Sequence, residues 1–126
     1  MQTTSVKNID NNHSEWKNIL GFYKDELDVF KERLNEVAQK NTGKEIMQMV
    51  EHFQNQFVIQ SENIDILLHD INEHVSSLAS EILHHAGHID KHQIPEHFVL
   101  QERVEREALI FVGIKTEFMK FLSKVM

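Results

Sequence analysis

The sequence predicts an all-α protein of three long antiparallel helices that pack like a coiled coil. Two observations carry this prediction. The chain of 126 residues contains only four glycines and one proline, and because these residues make turns and end helices, each element must be long. Apolar residues also recur at alternating spacings of four and three, the pattern typical of a helix that buries one narrow face.

The first helix is predicted over residues 12–40, after a disordered tail over residues 1–11 that lacks apolar periodicity. Asn12 is a suitable N-cap, and Glu15 can return a hydrogen bond to its backbone. An unbroken apolar seam then predicts one continuous helix. The seam residues are Trp16, Leu20, Tyr23, Leu27, Phe30, Leu34 and Val37.

The second helix is predicted over residues 43–86. Thr42 and Glu45 match a capping box at its start, and the short link from the first helix predicts an antiparallel α-hairpin. The seam consists of Ile46, Val50, Phe53, Phe57, Ile64, Leu67 and Ile71. The alternative is a monomer of four helices, in which the second segment breaks near Asn63.

Two polar residues lie in or near this second seam. Gln60 occupies a seam position, where it either fixes the register of a partner helix or points outward. After Ile71 the apolar pattern continues at Val75, which predicts a stutter in the heptads. The stutter would place His74 at the boundary of the core, where we do not expect it to bind a metal.

The third helix is predicted over residues 95–125. Gly87 suits the position after a helix end, and Pro95 suits the first position of the next helix. Residues 108–114 are apolar on nearly every side, which predicts burial on more than one face. The seam residues are Val104, Ala108, Phe111, Ile114, Phe118, Phe121 and Val125.

The predicted middle helix is longer than either outer helix, so neither outer helix can cover its whole length. The outer helices fold back from its opposite ends, so each end of the middle helix is covered on one side only. We therefore expect a homodimer that completes the bundle, or an unknown protein partner. The residues expected at this interface are Phe53, Phe57, Ile110, Phe111 and Ile114.

The formal net charge of −7 is concentrated in residues 44–86, which carry seven acidic residues and one basic residue. This field repels phosphate backbones and anionic lipid surfaces, so we expect no nucleic-acid or membrane partner. No apolar run approaches the roughly 20 residues of a membrane span, and the N-terminus lacks the apolar core of a signal peptide. We expect a cytoplasmic protein with one domain over residues 12–126.

Histidine is the unusual residue, with nine in the chain and five between His84 and His97. His84 and His88 are four residues apart, and His92 would lie one turn further on a continuing helix. These three are candidate ligands for zinc or nickel, and Glu96 is among the acidic residues that could add an oxygen ligand. The alternative is a histidine-rich helix end and connection with no metal.

Two types of metal-binding bundle fit the sequence poorly. Carboxylate di-iron bundles use two E-x-x-H motifs, and this chain has one, from Glu81 to His84. Two fragments, His69 to Glu73 and His84 to His88, resemble those of hemerythrin-like proteins. Both fragments fall in one predicted helix and cannot face each other, so we reject this resemblance and identify no family.

No catalytic residue is predicted. The chain lacks cysteine, a glycine-rich phosphate loop and a nucleophile elbow. The leading hypothesis is a non-enzymatic helical interaction or scaffold module that self-associates through its apolar heptad faces. The alternative is a metal-binding or metal-sensing helical bundle that uses the histidine-rich residues 84–97.

Overall fold

The computed structural model describes residues 6–84 and 93–126, with side chains over residues 11–80 and 95–126. Three helices account for nearly all of these residues: α1 Val6–Lys40, α2 Lys44–His84 and α3 Gln93–Val125. At 1.5 Å per residue they are about 52, 62 and 50 Å long. The predicted all-α class with three long helices is confirmed.

The helices run up, down and up, so that α2 is antiparallel to both neighbours and α1 is parallel to α3. Polar contacts at successive levels fix these directions. They are Lys24–Asp65 and Lys31–Ser61 between α1 and α2, Asp70–Arg103 and His52–Glu117 between α2 and α3, and Asn12–His97 and Glu26–Lys115 between α1 and α3. All three helices therefore lie side by side along the core.

The core is one row of apolar side chains drawn from all three helices, with phenylalanine at its centre. The ring of Phe118 on α3 lies 5.0 Å from that of Phe57 on α2 and 5.2 Å from that of Phe30 on α1, measured between centroids. The planes of Phe57 and Phe118 are nearly perpendicular, at 89°. Edge-to-face contacts of this kind add to the hydrophobic burial of each ring.

The starts of two helices differ from the prediction, and the alternative with a break in α2 is excluded. α1 begins at Val6, so residues 6–11 of the predicted tail are helical and Asn12 lies inside the helix instead of capping it. α2 continues through Asn63, so the four-helix alternative is wrong. α3 begins at Gln93, two residues earlier than predicted. The predicted end of α2 at residue 86 lies outside the described residues.

The start of α2 also differs by one residue from the predicted capping box. The backbone N–H of Met47 donates to the carbonyl oxygen of Gly43 at 3.0 Å, which places Gly43 at the N-cap in place of Thr42. The end of α1 is closed by Asn41, whose side-chain Nδ2 donates to the carbonyl oxygen of Val37 at 2.9 Å. The link between the two helices is as short as predicted.

The seam keeps a strict register, and two predicted seam positions are wrong by one residue. His74 is buried where the stutter to Val75 was predicted, and Val75 is only partly buried. On α3, Glu107 is buried in place of Ala108. In a straight helix, a shift of one seam position would turn every later seam residue away from the neighbouring helices. The regular spacing therefore buries His74 and Glu107, although Val75 and Ala108 are more apolar.

The expectation that a single chain exposes the predicted interface residues is wrong for four of the five. Phe53, Phe57, Phe111 and Ile114 are buried in the core of their own chain, because α1 and α3 cover α2 along this whole region. Only Ile110 is exposed, at 39%. The homodimer itself stays a prediction. No helix in the described part of the chain is long and apolar enough to span a bilayer.

We expect Phe57→Ala to lower the free energy of unfolding by about 3–5 kcal/mol, because it leaves a cavity at the aromatic centre of the core. Urea unfolding followed by circular dichroism measures the change. The matched control is Phe22→Ala, since Phe22 is 56% exposed, and its cost should stay below about 1 kcal/mol. Equal costs for the two variants would contradict the packing described above.

Candidate metal site

The seams of all three helices reach a buried histidine at the same end of the bundle. His13 lies one seam position before Trp16 on α1, His74 lies one position after Ile71 on α2, and His97 lies near the start of α3. Because α2 runs opposite to its neighbours, these positions meet at one level. We call His13, His74 and His97 the histidine cluster.

The spacing of the histidine cluster suits a single bound ion. Each residue has a ring nitrogen that lies within 4.8 Å of a ring nitrogen of each of the other two residues. The ring centroids of His13 lie 5.2 Å from those of His74 and of His97, and the last two are 5.8 Å apart. A tetrahedral ion bound to three imidazole nitrogens at about 2.1 Å would hold the centroids about 5 Å apart.

The cluster is enclosed by protein. The three side chains are only 4%, 5% and 1% exposed, in chain order. The ring of Trp16, the single tryptophan of the chain, lies 4.7 Å from that of His97 and 5.3 Å from that of His13. Imidazole rings in such a place lose contact with water, so an interaction with a cation there is screened weakly.

His97 is held by Asn12 on one side of its ring. The side-chain nitrogen Nδ2 of Asn12 lies 3.1 Å from Nε2 of His97. The other ring nitrogen, Nδ1, is buried and makes no hydrogen bond within the described residues. Burial lowers the pKa of His97, and the nearby charge of His74 lowers it further. His97 is therefore neutral near pH 7, with one protonated ring nitrogen and one lone pair, and this lone pair accepts from Asn12 while the amide nitrogen faces Nε2.

A cleft of about 520 Å³ between α2 and α3 opens beside His74. Its walls carry the carboxylates of Asp70, Glu73 and Glu96 and the guanidinium of Arg103. Nη2 of Arg103 lies 2.8 Å from Oδ2 of Asp70. Oε2 of Glu96 lies 3.7 Å from Nδ1 of His74. The carboxylates outnumber the guanidinium, so the cleft is acidic, and it leads to the histidine cluster.

The predicted ligands fall largely outside what the structure describes. His84 is the last residue of α2, but its side chain is not among those described, and His88 and His92 lie outside the described residues. Their predicted zinc or nickel site stays a prediction. The structure brings His97, from the same histidine-rich stretch, together with His13 and His74.

His13 and His74 are not predicted as ligands from the sequence, for two different reasons. His13 was placed at the very start of a helix that actually begins seven residues earlier, at Val6. His74 was excluded from the seam by the predicted stutter. A signal was nevertheless present, because His13 lies three residues before Trp16 and His74 lies three residues after Ile71, and both thereby keep the 3-4 spacing of their seams.

A second buried polar contact lies further along the bundle, between Gln60 and Glu107. With its amide nitrogen turned toward the carboxylate, Gln60 donates to Oε1 of Glu107 at 2.6 Å and to Oε2 at 3.2 Å. Burial raises the pKa of Glu107 to about 7. Gln60 therefore points inward and links α2 to α3, as the first of its two predicted roles requires.

Comparison of the chain with protein-family models, curated proteins and solved structures finds no match in any of the three. Fold and site together define a three-helix bundle with a buried histidine cluster. What this cluster can bind is therefore inferred from its geometry and its residue types.

We expect Glu107→Gln to remove part of the pH dependence of stability. The folded protein holds the Glu107 proton with a pKa of about 7, against an ordinary value of 4.5. Deprotonation of the unfolded chain therefore comes first, and stability falls as the pH rises from about 4.5 to 7, then levels off. At about 1.4 kcal/mol per pKa unit, the neutral glutamine should be more stable than the parent by roughly 3 kcal/mol at pH 8 and nearly equal at pH 4.

The measurement is urea unfolding of the parent and variant between pH 4 and pH 8. Glu105→Gln is the matched control, because Glu105 lies on the exposed face of the same helix. The control should keep the pH profile of the parent. A constant difference between Glu107→Gln and the parent at all pH values would contradict the raised pKa.

Proposed function

We propose that this protein is a metal-binding three-helix bundle whose histidine cluster takes one divalent transition-metal ion, with zinc as the first candidate. The observation that carries the proposal is the meeting of three buried histidines, one from each helix, with ring nitrogens within 4.8 Å of one another. Imidazole suits zinc, copper, nickel and iron, and three histidines are a known protein ligand set for zinc.

Asn12 supports this proposal as a partner behind His97. Ligating histidines usually donate their second ring N–H to a carbonyl or carboxylate oxygen, which fixes the tautomer. The amide of Asn12, 3.1 Å from Nε2 of His97, can turn its oxygen toward the ring and accept this proton. The lone pair of His97 is then on Nδ1, the nitrogen that has no hydrogen bond within the described residues.

Metal binding of this kind would stabilise the folded chain. The three ligands come from three helices, so the ion ties together one end of the bundle. A ligand that binds only the folded state adds about 2.7 kcal/mol of stability at a concentration of 100 times its Kd. The proposed biochemical role is therefore to hold or sense a divalent metal by coupling its binding to the stability of the bundle.

We expect Ni²⁺ to quench the emission of Trp16 with a stoichiometry of one ion per chain, because the indole ring lies beside the cluster. Zn²⁺ should compete with Ni²⁺ and raise the melting temperature. His97→Leu should abolish both effects while the protein stays folded, since an apolar side chain of similar size suits a seam position. Fluorescence titration and metal analysis of protein purified without an affinity tag provide the measurements.

The matched control is His52→Ala. The side chain of His52 is partly exposed on α2, near Glu117, and lies outside both the cluster and the cleft. This variant should bind Ni²⁺ as tightly as the parent. Equal Ni²⁺ affinity in His97→Leu and the parent, or no saturable quenching in the parent, would overturn the proposed site.

A second proposal is self-association through α3. Leu109 is 77% exposed, and Ile110 and Val112 are exposed beside it. A side-chain carbon placed at Gly113 would meet no atom within 4 Å, so another helix could approach closely there. Exposed apolar residues that cluster in this way commonly mark an interface between proteins. The surface formed by Leu109, Ile110, Val112 and Gly113 therefore favours a homodimer, although the residues first expected at its interface are mostly internal.

We expect Leu109→Glu to shift the molar mass measured by light scattering from that of a dimer to that of a monomer, because a charge would replace the centre of the contact. The control is Phe22→Glu, which places the same charge at an exposed apolar position on α1. A parent chain that is already monomeric at micromolar concentration would contradict this second proposal.

A further inference from the structure

We propose that the divalent cation reaches the histidine cluster through the acidic cleft between α2 and α3, and that Glu96 orients His74 to receive it. This inference rests on the proposed metal-binding function. It adds a route to the site and a positioning residue outside the set of three ligands.

The route follows from where His74 lies. The cluster is almost fully buried, and an ion needs an opening to reach it. His74 belongs both to the cluster and to the wall of the cleft. Its ring therefore separates the interior of the bundle from a solvent-filled space of about 520 Å³. An ion that enters this space meets His74 before it meets the other two histidines.

The charge of the cleft favours a cation over an anion. Asp70, Glu73 and Glu96 face the cleft, and Arg103 lies 2.8 Å from Asp70. Among the residues whose side chains the structure describes, the other titratable group on the wall besides His74 is His69, 3.6 Å from Glu73. A concave surface with an excess of negative charge concentrates cations and raises their association rate. The acidic side chains of α2 that line the cleft, Asp70 and Glu73, would therefore attract the cation.

Glu96 is placed to act on the ring of His74. Its Oε2 lies 3.7 Å from Nδ1 of that ring, and a small rotation would let it accept the Nδ1–H. The lone pair of His74 would then be on Nε2, the nitrogen on the opposite side of the ring from Glu96. The carboxylate also offsets part of the positive charge of a bound ion.

The position of Glu96 in α3 supports this role. It lies in the first turn of the helix, where the positive end of the helix dipole favours a negatively charged side chain. Its side chain is 67% exposed, so the carboxylate can meet a cation in the cleft before the ion is fully desolvated. Glu96 also precedes His97 directly in sequence, which couples its backbone to that of a ligand.

The experiment is stopped-flow mixing of the full chain with Ni²⁺, followed by the emission of Trp16. Glu96→Gln should lower the association rate and weaken the affinity by about tenfold, the lower end of the range for such partners of ligating histidines. Glu96→Asp keeps the charge and should retain the association rate while losing part of the affinity. Added salt should slow association more in the parent than in Glu96→Gln, since it screens the cleft.

Glu102→Gln is the matched control, because Glu102 lies on the same helix but does not line the cleft. It should bind Ni²⁺ with the parent's rate and affinity. The unfolding midpoints of all metal-free variants should agree, which separates positioning from a general structural effect. Parent-like rates and affinity in Glu96→Gln would overturn this inference alone. Absence of saturable quenching in the parent would overturn the proposed function together with it.

Discussion

The fixed spacing of seam positions along three long helices is the constraint on which the rest of the structure depends. Each helix must present a side chain to the centre at every third or fourth residue, from His13 to Val37 on α1 and through matching positions on α2 and α3. Over most of this length the chain supplies leucine, isoleucine, valine or phenylalanine. Where it supplies a polar residue, that residue is buried as well, because the register cannot shift for one position.

The polar seam residues are therefore the informative ones. An imidazole or carboxyl group buried without compensation costs about 1–3 kcal/mol, so each needs partners inside the bundle. Glu107 is hydrogen-bonded by the amide of Gln60, and its burial raises its pKa to about 7. At the end of the bundle the three histidines occupy one level. A cation bound among them would tie the three helices together and stabilise the fold.

Two features that differ in kind support the same proposal. The histidine cluster offers nitrogen ligands in an enclosed space, and burial lowers the pKa of one of them, His97. The cleft beside it offers carboxylates at the surface, among them Glu96 near His74. Imidazole ligands inside the bundle and carboxylates at its surface are complementary features for capturing a divalent ion from water. The exposed apolar residues of α3 are a separate feature, and they concern association rather than the site.

The sequence by itself determined the helical class, the three elements and most of the core, because apolar periodicity acts within one helix. Phe30, Leu34 and Phe118 could be assigned to the core from spacing alone. The tertiary structure decided which polar residues fill the remaining positions and which of them meet. His13 and His74 are 61 positions apart in the chain, and their contact depends on the relative direction and level of two helices. Periodicity along one helix does not determine which residues of a neighbouring helix lie at the same height along the bundle. Only the packed structure therefore shows that the three histidines meet.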